Sequence, residues 1–188
     1  MLPYYLEIYV IILGVLMLCL ELFSGRRSRS KIAVLGVFGL CLIFGMMIFV
    51  VPAPGEGIQY WGIYHYDQWA AFYKGLALLA TLIVLVMARE FAPVFKNYTS
   101  RDEEASGIGE FYCLPVFVCA GLMWMSSSKD LVTIFVSLEL VTMGFYVLVA
   151  FMRRNVGSLE AGVKYLILGA LSTGFLVYGI AWTYGVSG

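Results

Sequence analysis

The chain has 188 residues, 62% of them hydrophobic and 13% charged, and its 12 basic and 12 acidic side chains balance to a net charge of zero. A soluble domain is nearer half apolar and a quarter charged, so this excess cannot be hidden inside one globule and calls for lipid as solvent. The balanced charge removes the bulk electrostatic case for nucleic acid as a partner.

A helix needs about 20 apolar residues to cross roughly 30 Å of hydrocarbon. Six runs meet that need, at about 4–23, 32–51, 69–88, 111–127, 130–151 and 159–184. The predicted fold class is all-α, a polytopic membrane bundle of six transmembrane helices in one unit, 1–188. The first run holds Glu7 and Glu21 and lacks a basic leader and a small-residue cleavage site, so it does not read as a cleaved signal peptide. Glu7 is expected near an interface, and Glu21 beside the Arg26–Arg27 pair that can neutralise it. The loop at 52–68 is rich in aromatics and carries His65, the one histidine, which has no metal-ligand partner there. Asp67 is placed to cap the third helix, and Lys74, about two turns in, is expected to snorkel outward. The loop at 89–109 contains "SRDEEASG" and reads as a solvated connection. Cys19, Cys41, Cys113 and Cys119 form no CxxC pair and are expected to pack as buried small hydrophobes.

The basic residues set the direction of the helices. Arg26, Arg27, Arg29 and Lys31 lie in the first loop, Arg89, Lys96 and Arg101 in the third, and Arg153 and Arg154 in the fifth. The opposite side holds Lys129 alone. That bias predicts that the three basic loops face the cytoplasm and both termini face outward. Tyr60, Trp61, Tyr64, Tyr66, Trp69, Trp182 and Tyr184 then form an aromatic belt on the outer side.

One acid stands apart. Glu139 lies in "LVTIFVSLELVTMGFY", roughly 20 Å from the inner end of its helix at 1.5 Å per residue. It is too short to snorkel that far, and an acid at mid-bilayer costs on the order of 3 kcal/mol, so it should face protein or water. Thr142 and Tyr146, at i+3 and i+7, extend a polar stripe on the same face. On the sixth helix Lys164 has Glu160 one turn below it, spaced for an ion pair. A ladder of Glu160, Lys164 and Glu139 results, rising from the cytoplasmic side. Burial penalises both the acid and the base while their attraction favours both charges, a balance suited to proton relay through water. The competing reading is static interhelical glue. "LGALSTG", residues 168–174, supplies small-xxx-small pairs for close helix packing.

Residues 109–188 resemble the NADH-quinone oxidoreductase subunit N family, the antiporter-like membrane subunit of respiratory complex I. The specific parts are "SLELVTMGFYVLVAF", the "RRN" loop and "SLEAGVKYLILGALSTGFLVYGIAWTYG", in order and at matching spacing, with Thr173 where the family pattern has serine. The first 108 residues match loosely, through the acidic first helix and "YDQWAAFYKGL". The resemblance implies the N-terminal portion of such a subunit, with Glu139 and Lys164 in a buried polar axis that relays protons. It implies a non-redox subunit of an NADH:quinone oxidoreductase, in a bacterial inner membrane or an organellar one. Its partners would be other complex I membrane subunits, including antiporter-like neighbours, and the lipid bilayer. NADH, FMN, iron–sulfur clusters and quinone would belong to other subunits, and no GxGxxG or cysteine cluster appears here. Family members have about fourteen transmembrane helices arranged as inverted repeats, of which this chain carries six. Two rivals stand beside this reading: a cation/proton antiporter subunit of the related multisubunit type, and a structural or assembly module whose charges only hold helices together.

Overall fold

The computed structural model describes residues 2–23, 29–51, 58–95, 108–152 and 155–187. Its six long helices are α1 (Tyr5–Phe23), α2 (Arg29–Phe49), α3 (Gln68–Phe95), α4 (Ile108–Ser126), α5 (Leu131–Val149) and α6 (Val156–Ser187). All six are long and apolar enough to cross a membrane. The described residues are helical but for one small hairpin and the turns, as suits an integral membrane protein.

Helices α3 and α6 outrun the apolar stretches that predict them. The apolar run ends where Arg89 interrupts it, yet the helical backbone of α3 continues to Phe95. Charge ends a hydrophobic run without ending a helix, because Arg and Glu are good helix formers. Helix α6 has 32 residues, about 48 Å of rise, and so exceeds the hydrocarbon thickness.

Helix α4 is the hub. It packs against α1, α2, α3 and α5, whereas α6 packs on α5 alone among the described elements. Cys113, Val116, Cys119, Ala120 and Met123 of α4 are all in the core. The α4–α5 seam depends on small residues at both faces. A β-carbon on Gly144 would fall 2.5 Å from Val118 Cγ2, and one on Gly121 would fall 2.8 Å from Val141 Cγ2. In lipid there is little hydrophobic drive between helices, so such close approach supplies the dispersion energy that holds them. Cys113 and Cys119 are buried as expected, but Cys19 and Cys41 are exposed on outward helix faces. An apolar thiol gains as much from lipid as from a core, which is why composition does not separate the two pairs.

Among the described residues, the segment before α3 holds the paired strands. β1 (Ile58–Tyr60) pairs antiparallel with β2 (Tyr64–Tyr66), with Tyr60 opposite Tyr64. The turn uses positive φ at two successive residues, 53° at Trp61 and 75° at Gly62. Glycine adopts that conformation freely and tryptophan does not. The hairpin also bonds to the α4–α5 turn: His65 N donates to Ser127 O at 2.7 Å, and Lys129 N donates to Ile63 O at 2.9 Å. Asp67 caps α3 as its position predicts, accepting from Ala70 N at 2.7 Å. Asp130 caps α5 by accepting from Val132 N.

Candidate functional site

Glu139 sits near the middle of α5 and is half-buried. Its Oε1 accepts a 2.7 Å hydrogen bond from the Thr173 hydroxyl of α6. Among the described residues no cation lies within ion-pair distance of it. Lys164 instead donates to Glu160 Oε1 at 2.5 Å, the i,i+4 pair that the spacing predicts. Thr173 is nine residues beyond Lys164, about 13 Å of rise along α6. Side chains on a helix lean toward its N-terminus, so Lys164 reaches toward Glu160 and away from Thr173. The ladder is therefore two separate parts.

Tyr146 occupies the gap between them. Its hydroxyl lies against Gly169, where a β-carbon would collide with it. Its ring meets Tyr165 edge-on at 5.0 Å between centroids. Gly169 stands midway between Lys164 and Thr173 on α6, so the Tyr146 hydroxyl has the right height to connect the two parts. Thr142 does not extend the stripe outward: its hydroxyl donates to the Glu139 backbone carbonyl at 3.1 Å. The small residues of "LGALSTG" divide the same way. Gly169 receives Tyr146, while Gly174 meets nothing within 4 Å. A cavity of about 740 Å³ opens toward the α6 N-terminal end; Glu110, Cys113, Tyr146 and Gly162 are among its lining residues, and Glu139 and Lys164 are not.

At the hairpin end the structure assembles a second charged cluster that the sequence reading splits into unrelated parts. Lys74 does not snorkel. It is fully buried, and its Nζ lies 2.6 Å from Glu7 Oε1, itself fully buried. The Tyr64 hydroxyl joins them, accepting from Lys74 at 2.6 Å and donating to Glu7 at 3.0 Å. The ammonium also faces the rings of Tyr64 and Tyr66, 4.7 Å and 4.9 Å from their centroids. Burial raises the pKa of Tyr64 well above the ordinary phenol range, and the Glu7 charge adds to it, so the phenol stays neutral. Burial followed by the Glu7 charge raises Tyr66 as well. The available signal was the pairing of one acid and one base near the same ends of the first and third helices. The sequence does not disclose the pair, because Lys74 has a stem long enough to reach water from that depth.

The remaining expectations resolve individually. His65 Nδ1 lies 3.8 Å from Asp67 Oδ2, and no group of three metal-ligating side chains occurs among the described residues. Glu21 approaches Gly109 so closely that a β-carbon there would overlap its carboxylate; Arg26 and Arg27, its expected partners, lie outside the described residues. Lys96, Arg101, Arg153 and Arg154 lie outside them too. Tyr184 of α6 donates to Asp130 at the start of α5. That bond holds the Asp130 carboxyl below its usual range, against the opposing effect of burial.

Comparison with known proteins bears on this architecture. Residues 128–188 match the family described as NADH:quinone oxidoreductase/Mrp antiporter, transmembrane. NADH-quinone oxidoreductase subunit N of Desulfitobacterium hafniense is 36% identical over 182 residues, covering 97% of this chain and 35% of that protein. The subunit N of Trichlorobacter lovleyi is 36% identical over 190 residues, at the same coverage of both. Among solved structures, a chain of respiratory complex I from Thermus thermophilus with bound aureothin superposes with a TM-score of 0.72 at 25% identity, over 96% of this chain and 36% of that one. A chain of the membrane-bound sulfane sulfur reductase, an archaeal respiratory membrane complex, shares the fold with a TM-score of 0.63 at 18% identity, over 97% of this chain and 37% of that one. The chain thus spans about a third of the length of the curated relatives it matches. With that span understood, the chain is similar over nearly its whole length to part of NADH-quinone oxidoreductase subunit N.

Proposed function

We propose that this chain forms part of the proton-translocating membrane arm of an NADH:quinone oxidoreductase and that Glu139 is the proton-carrying group of its polar axis. The observation that carries this reading is the placement of Glu139: a carboxylate midway along a membrane-length helix, held by the Thr173 hydroxyl of the neighbouring helix. An acid at that depth is expensive in lipid, and its hydroxyl partner leaves it able to exchange a proton with its neighbours.

In this reading Glu160 and Lys164 form the entry pair at one end of α6, and Tyr146 spans the interval to Thr173 and Glu139. The basic loops face the cytoplasm and both termini face outward, as the distribution of Lys and Arg supports. The location is a bacterial inner membrane, by kinship with the bacterial relatives. The chain itself carries no redox group; NADH, FMN, iron–sulfur clusters and quinone bind other subunits. Its partners are other membrane subunits of that complex, antiporter-like neighbours among them.

The family description also names Mrp antiporters, so a cation/proton antiporter without redox partners is the second reading. Affinity purification of the tagged protein from its native membrane separates the two. Co-purification of NADH-oxidising activity is expected here, and a complex lacking any redox subunit favours the antiporter. The relay is tested in sealed vesicles holding the assembled enzyme. Tyr146→Phe, which removes only the spanning hydroxyl, is expected to lower proton pumping per assembled complex. Unchanged pumping rejects Tyr146 as the link.

A further inference from the structure

We propose that Glu7, Tyr64 and Lys74 form a second proton-holding site, separate from Glu139 and reached from the hairpin end of the bundle through Ser127. The ligand is a proton, and four observations converge on the site.

Glu7 and Lys74 are both fully buried, and one carboxylate oxygen does all the pairing. Oε1 receives both the ammonium and the phenol, while Oε2 is buried without any hydrogen-bond partner. A static ion-pair lock would satisfy both oxygens, since an unmet buried acceptor costs about 1–3 kcal/mol. An ionised carboxylate gains from donors on both oxygens, so the unpartnered Oε2 leaves the protonated form accessible, the proton arriving on Oε1 from the phenol.

The phenol is built to deliver one. Tyr64 is a neutral donor toward Glu7 and an acceptor from Lys74. A hydroxyl has two lone pairs, so the second remains open. The Ser127 hydroxyl is buried with no partner of its own, and its backbone stands beside the phenol's strand, with Ser127 O bonded to His65 N and Ser128 bridged to Tyr64. Ser127 also lines a cavity of about 550 Å³ that includes His65, Asp67, Ser126 and Ser128. The cavity lies where the hairpin meets the α4–α5 turn, at the aromatic end of the bundle.

The transfer balances in two moves. Ser127 passes a proton from cavity water to the Tyr64 oxygen as the Tyr64 proton leaves for Glu7. One O–H bond forms and one breaks at the phenol, and Ser127 is refilled from the cavity. The net change is one proton added to Glu7, and reversal releases it to the same side. The titratable and charged groups facing the site are Tyr4, just before α1, Glu7 from α1, Tyr64 and Tyr66 from the hairpin, and Lys74 from α3. Helix α4 brings the Trp124 ring, and the only charged residue within it, Glu110, lies in its first turn at the far end. The described charge of α2, Lys31, lies likewise in its first turn.

The test is an infrared difference titration of the purified, assembled complex, with pH steps as the only probe. Because Glu7→Gln alone strands the Lys74 charge, the comparison uses Glu7→Gln with Lys74→Met, which leaves a neutral pair of similar volume. The expected result is a protonated-carboxyl stretching band that titrates in the unaltered complex and is lost in the double variant. A titrating carboxyl spectrum identical in both overturns the site. Ser127→Ala is expected to keep the band and slow its appearance after a pH jump; an unchanged rate overturns the route.

Discussion

The two halves of this bundle treat buried charge in opposite ways. In α1–α4 and the hairpin, an acid and a base meet at 2.6 Å in full burial, with a tyrosine bonded to both. In α5 and α6, the acid has a hydroxyl partner, while the base pairs with a different acid on its own helix, at 70% and 61% side-chain exposure. The first half is packed around its charges through the hub helix α4, and the second half is a single helix layer laid on α5. A charge enclosed on every side is held by its partner, and removing that partner strands it. A charge at an open face can be re-paired by whatever covers the face. The difference between them lies in enclosure, because the residue types are the same.

Breaking the closed pair has the largest expected effect. Lys74→Met leaves Glu7 buried and unpaired, a loss of about 3–5 kcal/mol, and adding Glu7→Gln recovers most of it. A double-mutant cycle by denaturant unfolding in micelles measures the recovery; no recovery would show the two side chains to be uncoupled. Tyr64→Phe comes next, at about 2 kcal/mol, because it removes a hydroxyl bonded to two charged groups. It also sharpens the comparison through pH. The Tyr64 pKa is raised in the folded state, so its contribution is full below about 10 and fades as pH climbs above it. Tyr64→Phe should flatten that alkaline loss of stability. Asp67→Ala removes the α3 cap for about 1 kcal/mol. Smallest is Lys164→Met, at about 0.5 kcal/mol or less, since the exposed i,i+4 pair adds little. A large loss at Lys164 would erase the contrast between the halves.

Much of this was readable in the residues. Apolar run length located all six helices, and Asp67 read correctly as a cap because capping is a local rule that needs no tertiary partner. The i,i+4 pair of Glu160 and Lys164 was legible for the same reason. The hairpin was not, because Ile58–Tyr66 is an aromatic stretch at a membrane surface, where tyrosine and tryptophan have an interfacial use regardless of backbone shape. Lys74 was misplaced because snorkelling and inward pairing depend on which way its helix is turned, and rotation is set by packing. Glu139 and Lys164 on neighbouring helices invited a direct ladder. Their separation depends on the register of α5 against α6, fixed by Thr173 and by Tyr146 at Gly169.

The central claim is that Glu139, the open carboxylate, carries protons in the proposed membrane arm. Proton uptake into sealed vesicles, measured per assembled complex during NADH oxidation, tests it most directly with Glu139→Gln against the unaltered enzyme. The account predicts that pumping falls well below the level set by the amount of assembled complex. Pumping at the unaltered rate, with assembly intact, would contradict it.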